Sequence, residues 1–296
     1  MKEVFLKTTD GYDLCLHLFP INNPKGYIQL IHGMEEHQER YEPFIKFLNS
    51  LGYYCVSSDM RGHGKTTKEL GYFKDKKGYL HLIEDQKLIS QYIKDEFKVD
   101  KIIIFAHSMG TIITRNLLQS DSSSYSKIIL SGYPCYNAGV GLGIILCNII
   151  QAFKGSKYRS KLIDKMSIGS FNKKIKKPRT NIDWVSMNNE NIDNYLLDPL
   201  CGFGFTVSAY RDLFILNKRM HKYKNYKNVN KDLSFLLLRG RLDPCVGGEK
   251  GSKDSIKVLT KAGFNNIKDV PFDNMRHEIL NEVDYQKVYN EVEKYL

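Results

Sequence analysis

Apolar residues recur along this chain in two rhythms. Short runs rich in Ile, Leu, Val and Tyr, at residues 27–31, 53–58, 127–132 and 233–240 and in a run beginning at Lys101, read as strands. Those with no polar alternation read as strands buried on both faces. Other windows repeat apolar positions at helical spacing, at 41–51, 81–97, 111–118, 252–262 and 283–296, with a shorter strand pattern at 266–271. Residues 3–8 and 13–19 flank the turn signal Asp10-Gly11 and predict an antiparallel hairpin. Strands alternating with helices predict an α/β fold, a mostly parallel sheet covered on both faces. Strand patterns stop between 134 and 231. That block is expected to be a helical lid over the carboxyl edge of a sheet built from 1–133 and 232–296. There are no internal repeats.

The run at Lys101 carries the most specific local signal. Ile102-Ile103-Ile104-Phe105 breaks into Ala106-His107-Ser108-Met109-Gly110 and resumes from Thr111 as an apolar stripe at helical spacing. Strand, tight turn with a central Ser, helix is the pattern of a nucleophile elbow, G-x-S-x-G, with Ala106 in the first Gly place. Such a Ser is held at positive φ, and the residues two before and two after it must be small because neighbouring chain passes close by. A Ser that merely caps a helix could sit in the same pentapeptide, so its partners decide.

A Ser nucleophile needs a base to take its proton and an acid to fix the base's tautomer. Arg239-Gly240-Arg241-Leu242-Asp243-Pro244 puts Asp243 just after a predicted strand, and Asp273-Asn274-Met275-Arg276-His277-Glu278 puts His277 after the last one. Ligands bind beyond the carboxyl ends of strands in open α/β sheets, and the chain order Ser108, Asp243, His277 is the order of an elbow-bearing triad. Asp273, very near His277 in sequence, and Asp198, inside the insertion, are the reserve candidates for the acid. The charge developing on a reacting carbonyl oxygen needs backbone donors. Position assigns these to the amides of Met109, at the start of a helix, and Met34, in the loop after the 27–31 strand. His32 and Gly33 are expected to shape that loop.

At 296 residues the chain can hold one large domain with an insertion, and a core of that size needs no disulfides. The six Cys are scattered, with neither a C-x-x-C nor paired metal-ligand spacing, which suits free thiols in a reducing compartment. The first residues enter a strand-like alternation with no apolar core of signal-peptide length, so a cytoplasmic protein is expected. The longest apolar run, 138–150, is too short and too interrupted to span a bilayer. The triad chemistry calls for no metal and no organic cofactor.

Several stretches together carry a family resemblance. They are His32-Gly33-Met34-Glu35-Glu36-His37 with Arg40-Tyr41-Glu42-Pro43, Asp59-Met60-Arg61-Gly62-His63-Gly64, His107-Ser108-Met109-Gly110, and Arg276-His277-Glu278-Ile279-Leu280-Asn281-Glu282. They resemble the monoacylglycerol lipase and lysophospholipase branch of the α/β-hydrolase superfamily, over nearly the whole chain outside the insertion. Ala106 for the usual Gly and Thr111 where a second Gly is common are departures that leave the triad untouched. The resemblance implies an ester hydrolase of single-chain lipids, catalysis by Ser108, Asp243 and His277, and a lid whose apolar helix forms the mouth of an acyl tunnel. It also implies a structural role for Asp59, Arg61 and His63. Glu278 is expected to buttress the His277 loop.

The charge distribution adds a candidate partner. The net charge is +11, and residues 154–179 hold ten basic groups against one acid, Asp164, directly after the apolar run. An apolar patch rimmed by Lys and Arg suits transient docking on an anionic membrane, each basic group near the surface adding about 1 kcal/mol. A solvated basic loop is the plainer alternative. Nucleic acid is not expected, because the block lacks a recognised module and a stacking platform. Two rival functions remain. A serine peptidase of the proline iminopeptidase type would use the same fold and triad, but needs acidic groups to hold a free amino terminus where the insertion is basic. A non-catalytic ligand carrier is disfavoured by the intact Ser, Asp and His.

Overall fold

Successive side chains of a strand leave on opposite faces, so a strand that is apolar at every position needs a core on each side. The computed structural model, which describes residues 1–67 and 69–296, builds this arrangement. Its strands are β1 (Lys2–Lys7), β2 (Asp13–Phe19), β3 (Gly26–Ile31), β4 (Tyr53–Ser58), β5 (Ile102–His107), β6 (Tyr125–Ser131), β7 (Ser234–Gly240) and β8 (Asn266–Phe272). They form one sheet in the order β1-β2-β4-β3-β5-β6-β7-β8. β2 runs antiparallel to both neighbours, and every pair from β4 to β8 is parallel.

The helices are α1 (Glu42–Ser50), α2 (Gly78–Phe97), α3 (Met109–Leu117), α4 (Val140–Lys154), α5 (Lys161–Ser167), α6 (Asn189–Leu197), α7 (Val207–Met220), α8 (Gly248–Ala262) and α9 (Gln286–Tyr295). Ile102, Ile104 and Ala106 of β5 pack into one core with side chains of α2, α3 and α7. Ile103 and Phe105 enter the opposite core with α1 and α9. The uninterrupted apolar run of β5 thus divides residue by residue between two layers.

Three helix starts differ from the pattern by three residues or more. α2 begins three residues before the expected 81, and α8 at Gly248 rather than 252. Gly247 and Gly248, at φ 73° and 63°, turn the chain into α8 before any apolar residue marks its face. The last helix begins at Gln286, not 283, after a short 3₁₀ turn at Ile279–Asn281. Between β6 and β7 the described residues form only helices and loops, as the absence of strand patterns indicated.

The parallel strands end together. Gly240 of β7 pairs with Phe272 of β8, so the loops carrying Asp243 and His277 leave the sheet side by side. They are laced by Arg241 N–H to Phe272 O (2.9 Å) and Leu242 N–H to Met275 O (3.0 Å).

Candidate active site

Ser108 occupies the turn between β5 and α3 at φ 49°, ψ −118°, the strained geometry expected of an elbow. Gly110 shows why the turn needs small residues. A Cβ there would lie 2.5 Å from the Ile31 carbonyl oxygen and 2.7 Å from that of His32. Ala106 is fully buried between Ile31 and Leu130, where its methyl group is part of the core, so this departure from Gly costs nothing visible.

The three predicted side chains form one hydrogen-bonded run. His277 Nε2 lies 2.8 Å from Ser108 Oγ, and His277 Nδ1 lies 2.8 Å from Asp243 Oδ2. Asp243 Oδ1 accepts the Cys245 amide at 2.8 Å, which pins the carboxylate from its other side. With Nδ1–H donated to the carboxylate, Nε2 is the ring's acceptor for the Ser108 hydroxyl. Burial opposes a charged imidazole, but the charge of Asp243 and its hydrogen bond, with Glu278 and Glu36 adding, hold the His277 pKa above its ordinary value. The reserve acids lie elsewhere. Asp273 is exposed and pairs with Arg241 (2.7 Å), and Asp198 pairs with His37 Nε2 (2.7 Å).

Met34 and Met109 border the cavity beside Ser108. Met109 is the first residue of α3, where helix N–H groups have no intrahelical acceptor. The loop bearing Met34 is held by a buried network. Glu36 Oε1 accepts the Gly33 amide (2.5 Å) and the Tyr41 hydroxyl (2.7 Å). Arg40 donates to Glu36 (2.8 Å) and in bidentate fashion to Glu278 (2.6 and 2.7 Å). Glu278 also accepts Asn191 Nδ2 at 2.8 Å. Burial would raise the Glu278 carboxyl, but Arg40 overrides it and holds the pKa well below the usual carboxylate range. One guanidinium thereby ties the Met34 loop to the His277 loop.

The stretch Asp59 to His63 sits beneath this. Asp59 accepts the amides of Gln38 (2.9 Å) and Lys65 (2.8 Å), and fully buried Arg61 is paired with Asp85 (2.7 Å) and Asp10 (2.9 Å). His63 Nε2 accepts the Glu35 amide at 3.2 Å, and burial drives its pKa well below the ordinary value, so it stays a neutral acceptor. These three residues support the loop, the structural role that the resemblance implied, and none of them lines the cavity that Ser108 lines.

Sequence reasoning missed Trp184, Asn191 and the bridging of Arg40. Trp184, the only Trp in the chain, lies with its ring 5.0 Å from that of His277, and the Glu278 amide donates to Val185 O at 2.8 Å. The single Trp in an otherwise polar block was the available signal.

A cavity of about 800 Å³ lies over Ser108 and His277. Its lining is mixed, with Ile112, Val140, Leu213 and Phe214 apolar and Glu35, Arg159 and Asp164 charged. Asp243, Cys245 and His277 bring three potential metal-ligand atoms within 4.8 Å, but two of these already hydrogen-bond each other in the run above.

Known proteins resemble this chain over nearly its whole length. The family described as serine aminopeptidase, S33, matches residues 22–284. A monoacylglycerol lipase of Mycolicibacterium smegmatis is 23% identical over 281 residues, covering 94% of this chain and 90% of the lipase. The monoglyceride lipase of Mus musculus is 25% identical over 80% of this chain and 72% of its own. Among solved structures, a highly thermostable carboxyl esterase from Bacillus coagulans in complex with glycerol superposes with a TM-score of 0.92 at 21% identity, covering 99% of this chain and 97% of that one. A soluble variant of monoglyceride lipase from Saccharomyces cerevisiae superposes with a TM-score of 0.74 at 18% identity, covering 99% and 93%. The chain therefore belongs to the serine aminopeptidase S33 family of α/β-hydrolases, and within it resembles the monoacylglycerol lipases.

Proposed function

We propose that the protein is a serine carboxylic ester hydrolase that releases fatty acid from single-chain lipids, monoacylglycerols or lysophospholipids. The observation that carries this reading is the hydrogen-bonded run from Ser108 through His277 to Asp243 at the base of a cavity with apolar walls. In the mechanism, His277 Nε2 takes the Ser108 proton as Oγ bonds to the ester carbonyl carbon. The Met34 and Met109 amides donate hydrogen bonds to the oxyanion. Collapse breaks the bond to the alcohol, which leaves with the proton from His277. Water then adds to the acyl-enzyme with His277 again as base, and the fatty acid departs as Ser108 regains its proton. Ile112, Val140, Leu213 and Phe214 offer the acyl chain an apolar wall. The lipases among the relatives support the substrate class.

In this reading residues 134–231 act as the lid, and its outer face docks on anionic membrane. Leu142, Ile145, Ile149 and Phe153 of α4 are 75%, 56%, 51% and 83% exposed, and they recur along one side of the helix. Leu162 and Met166 of α5 are exposed as well, and Lys154, Lys161 and Lys165 lie among them. Among the described residues no helix is long and apolar enough to cross a membrane, so any contact of this face would be peripheral.

A second reading, aminopeptidase action, is favoured by Glu35 and Asp164 in the cavity, since carboxylates can hold a free amino terminus. Arg159, Lys161 and Lys174, which line the same cavity, oppose it. A hydrolysis panel separates the two: monoacylglycerols, lysophospholipids, p-nitrophenyl esters of graded length and proline amides. Lipid-ester turnover is expected. Turnover confined to the amides would replace the ester reading with the peptidase one.

A further inference from the structure

The cavity contains a carboxyl group that the triad chemistry does not use. Glu35 is only 4% exposed and lines the cavity, and its Oε1 has no hydrogen-bond partner among the described residues. Its backbone, by contrast, is fixed on three sides. The amide donates to His63 Nε2 (3.2 Å), and the carbonyl accepts the Tyr195 hydroxyl (2.9 Å) and the Gly202 amide (3.0 Å). The residue is held at φ 56°, a conformation that a side chain with a Cβ rarely adopts. An unpaired buried polar atom costs about 1–3 kcal/mol unless something occupies it.

Position narrows what that occupant is. Glu35 follows Met34 in the loop that passes beside Ser108, and its carboxyl, held beside the Gly204 amide, lines the same cavity as the nucleophile. A hydrocarbon chain would leave Oε1 unsatisfied, whereas the apolar wall formed by Ile112, Leu213 and Phe214 suits it. The polar portion of the substrate, its alcohol, is therefore what meets Glu35. Nearby charges select further. Arg159 directs its guanidinium to the carbonyls of Leu70, Phe203 and Gly204 rather than to Glu35. Burial pushes the Glu35 carboxyl up to about 7; the Gly204 amide opposes the rise, the charge of Asp164 adds to it, and Arg159 opposes it. A group that interconverts between acid and carboxylate near neutrality can both donate to and accept from a hydroxyl. The charges that act on Glu35 are those of Asp164 and Arg159, and the Arg159 guanidinium is already engaged by three carbonyls, so a phosphate seated there would face two carboxyl groups; a neutral polyol faces no like charge.

We propose that Glu35 is the head-group residue of this cavity, hydrogen-bonding the free hydroxyls of an uncharged polyol ester such as a glyceryl ester and disfavouring alcohols that carry a phosphate. The proposal rests on the ester-hydrolase reading and selects, within it, monoacylglycerols over lysophospholipids.

The test compares three esters of one fatty acid, glyceryl, methyl and glycerophosphate, on wild type, Glu35→Gln and Glu35→Leu. All three pass through the same acyl-enzyme, so ratios of kcat/KM isolate the alcohol portion and cancel any loss of folded protein. Glu35→Leu is expected to lower the glyceryl-to-methyl ratio about tenfold, the worth of one hydrogen bond. Glu35→Gln is expected to keep that ratio within about threefold while the glycerophosphate ester gains on the glyceryl one, because the charge is gone but the hydrogen bond is not. Ratios unchanged in Glu35→Leu would overturn the proposal, as would a wild type that favours the glycerophosphate ester. Absence of all ester turnover by wild type would instead sink the ester-hydrolase reading. Glu35 is then still tested by binding of a non-hydrolysable 1-alkyl glyceryl ether, expected about tenfold weaker in Glu35→Leu; equal binding would overturn the proposal.

Discussion

The imidazole of His277 sits between two oxygens with opposite demands. In the proposed mechanism Asp243 stabilises the ring when it is charged, and Ser108 needs it neutral to give up a proton. The His277 pKa is raised, so the acid limb of kcat/KM for ester turnover should fall at a pH above the ordinary His value of about 6.5. Replacing Asp243 by Asn removes the largest favourable influence on the charged ring. The limb should move to lower pH, and turnover should drop on the order of 10⁴-fold, as tautomer control is lost. An acid limb in the same place in Asp243→Asn, by pH–rate profile, would mean that Asp243 does not set the base. Ser108, Asp243 and His277 were legible because each follows a buried strand and their chain order is diagnostic. The Arg40–Glu278 pair was not, since its partners are 238 residues apart and no local spacing relates them. Trp184 against His277 was hidden for the same reason.

At the scale of elements, the alternation of β5 between two cores was readable from its unbroken apolar run, whereas the start of α8 was set by two glycines that carry no hydrophobic signal. In the loop from His32 to Tyr41, one largely covered cation, Arg40, pairs with both Glu36 and Glu278. Arg40→Met leaves Glu36 and Glu278 without their shared partner in a buried site, a change expected to cost about 3–5 kcal/mol in urea unfolding. A loss below about 1 kcal/mol would mean that the network is not held by charge. The exposed face of α4 invites a different measurement. Wild type should sediment with anionic vesicles more than with neutral ones, and Leu142→Asp with Phe153→Asp should abolish the difference. Equal, negligible pelleting of wild type with both vesicles would remove membrane docking from the account while leaving the hydrolase intact.

Across the whole molecule, buried histidines couple stability to pH. Burial, with the charge of His277 adding, pushes His107 down to about 4, below its unfolded value near 6.5. Between these values the unfolded chain binds the extra proton, so stability should fall as pH drops through that window, by on the order of 3 kcal/mol from this residue. Burial also lowers the pKa of His32 and His63, with the same sign, and the depressed Glu278 carboxyl adds its loss at still lower pH. His277 works the other way: its contribution is present below the unfolded value and lost as pH rises through the folded one. Urea unfolding from about pH 7.5 to about pH 5 should show the net decline, and His107→Asn should flatten it; an identical slope in the variant would assign the effect elsewhere.

The sheet exists, in functional terms, to bring the ends of β5, β7 and β8 to one place, and the hydroxyl of Ser108 is where they meet. The most direct measurement is peptide mapping by mass spectrometry after treatment with a fluorophosphonate, beside ester turnover of the same sample. A single adduct on Ser108, formed in step with loss of turnover and absent in a folded Ser108→Ala variant that hydrolyses nothing, is the expected result. An adduct on another serine, or full turnover by Ser108→Ala, would contradict it.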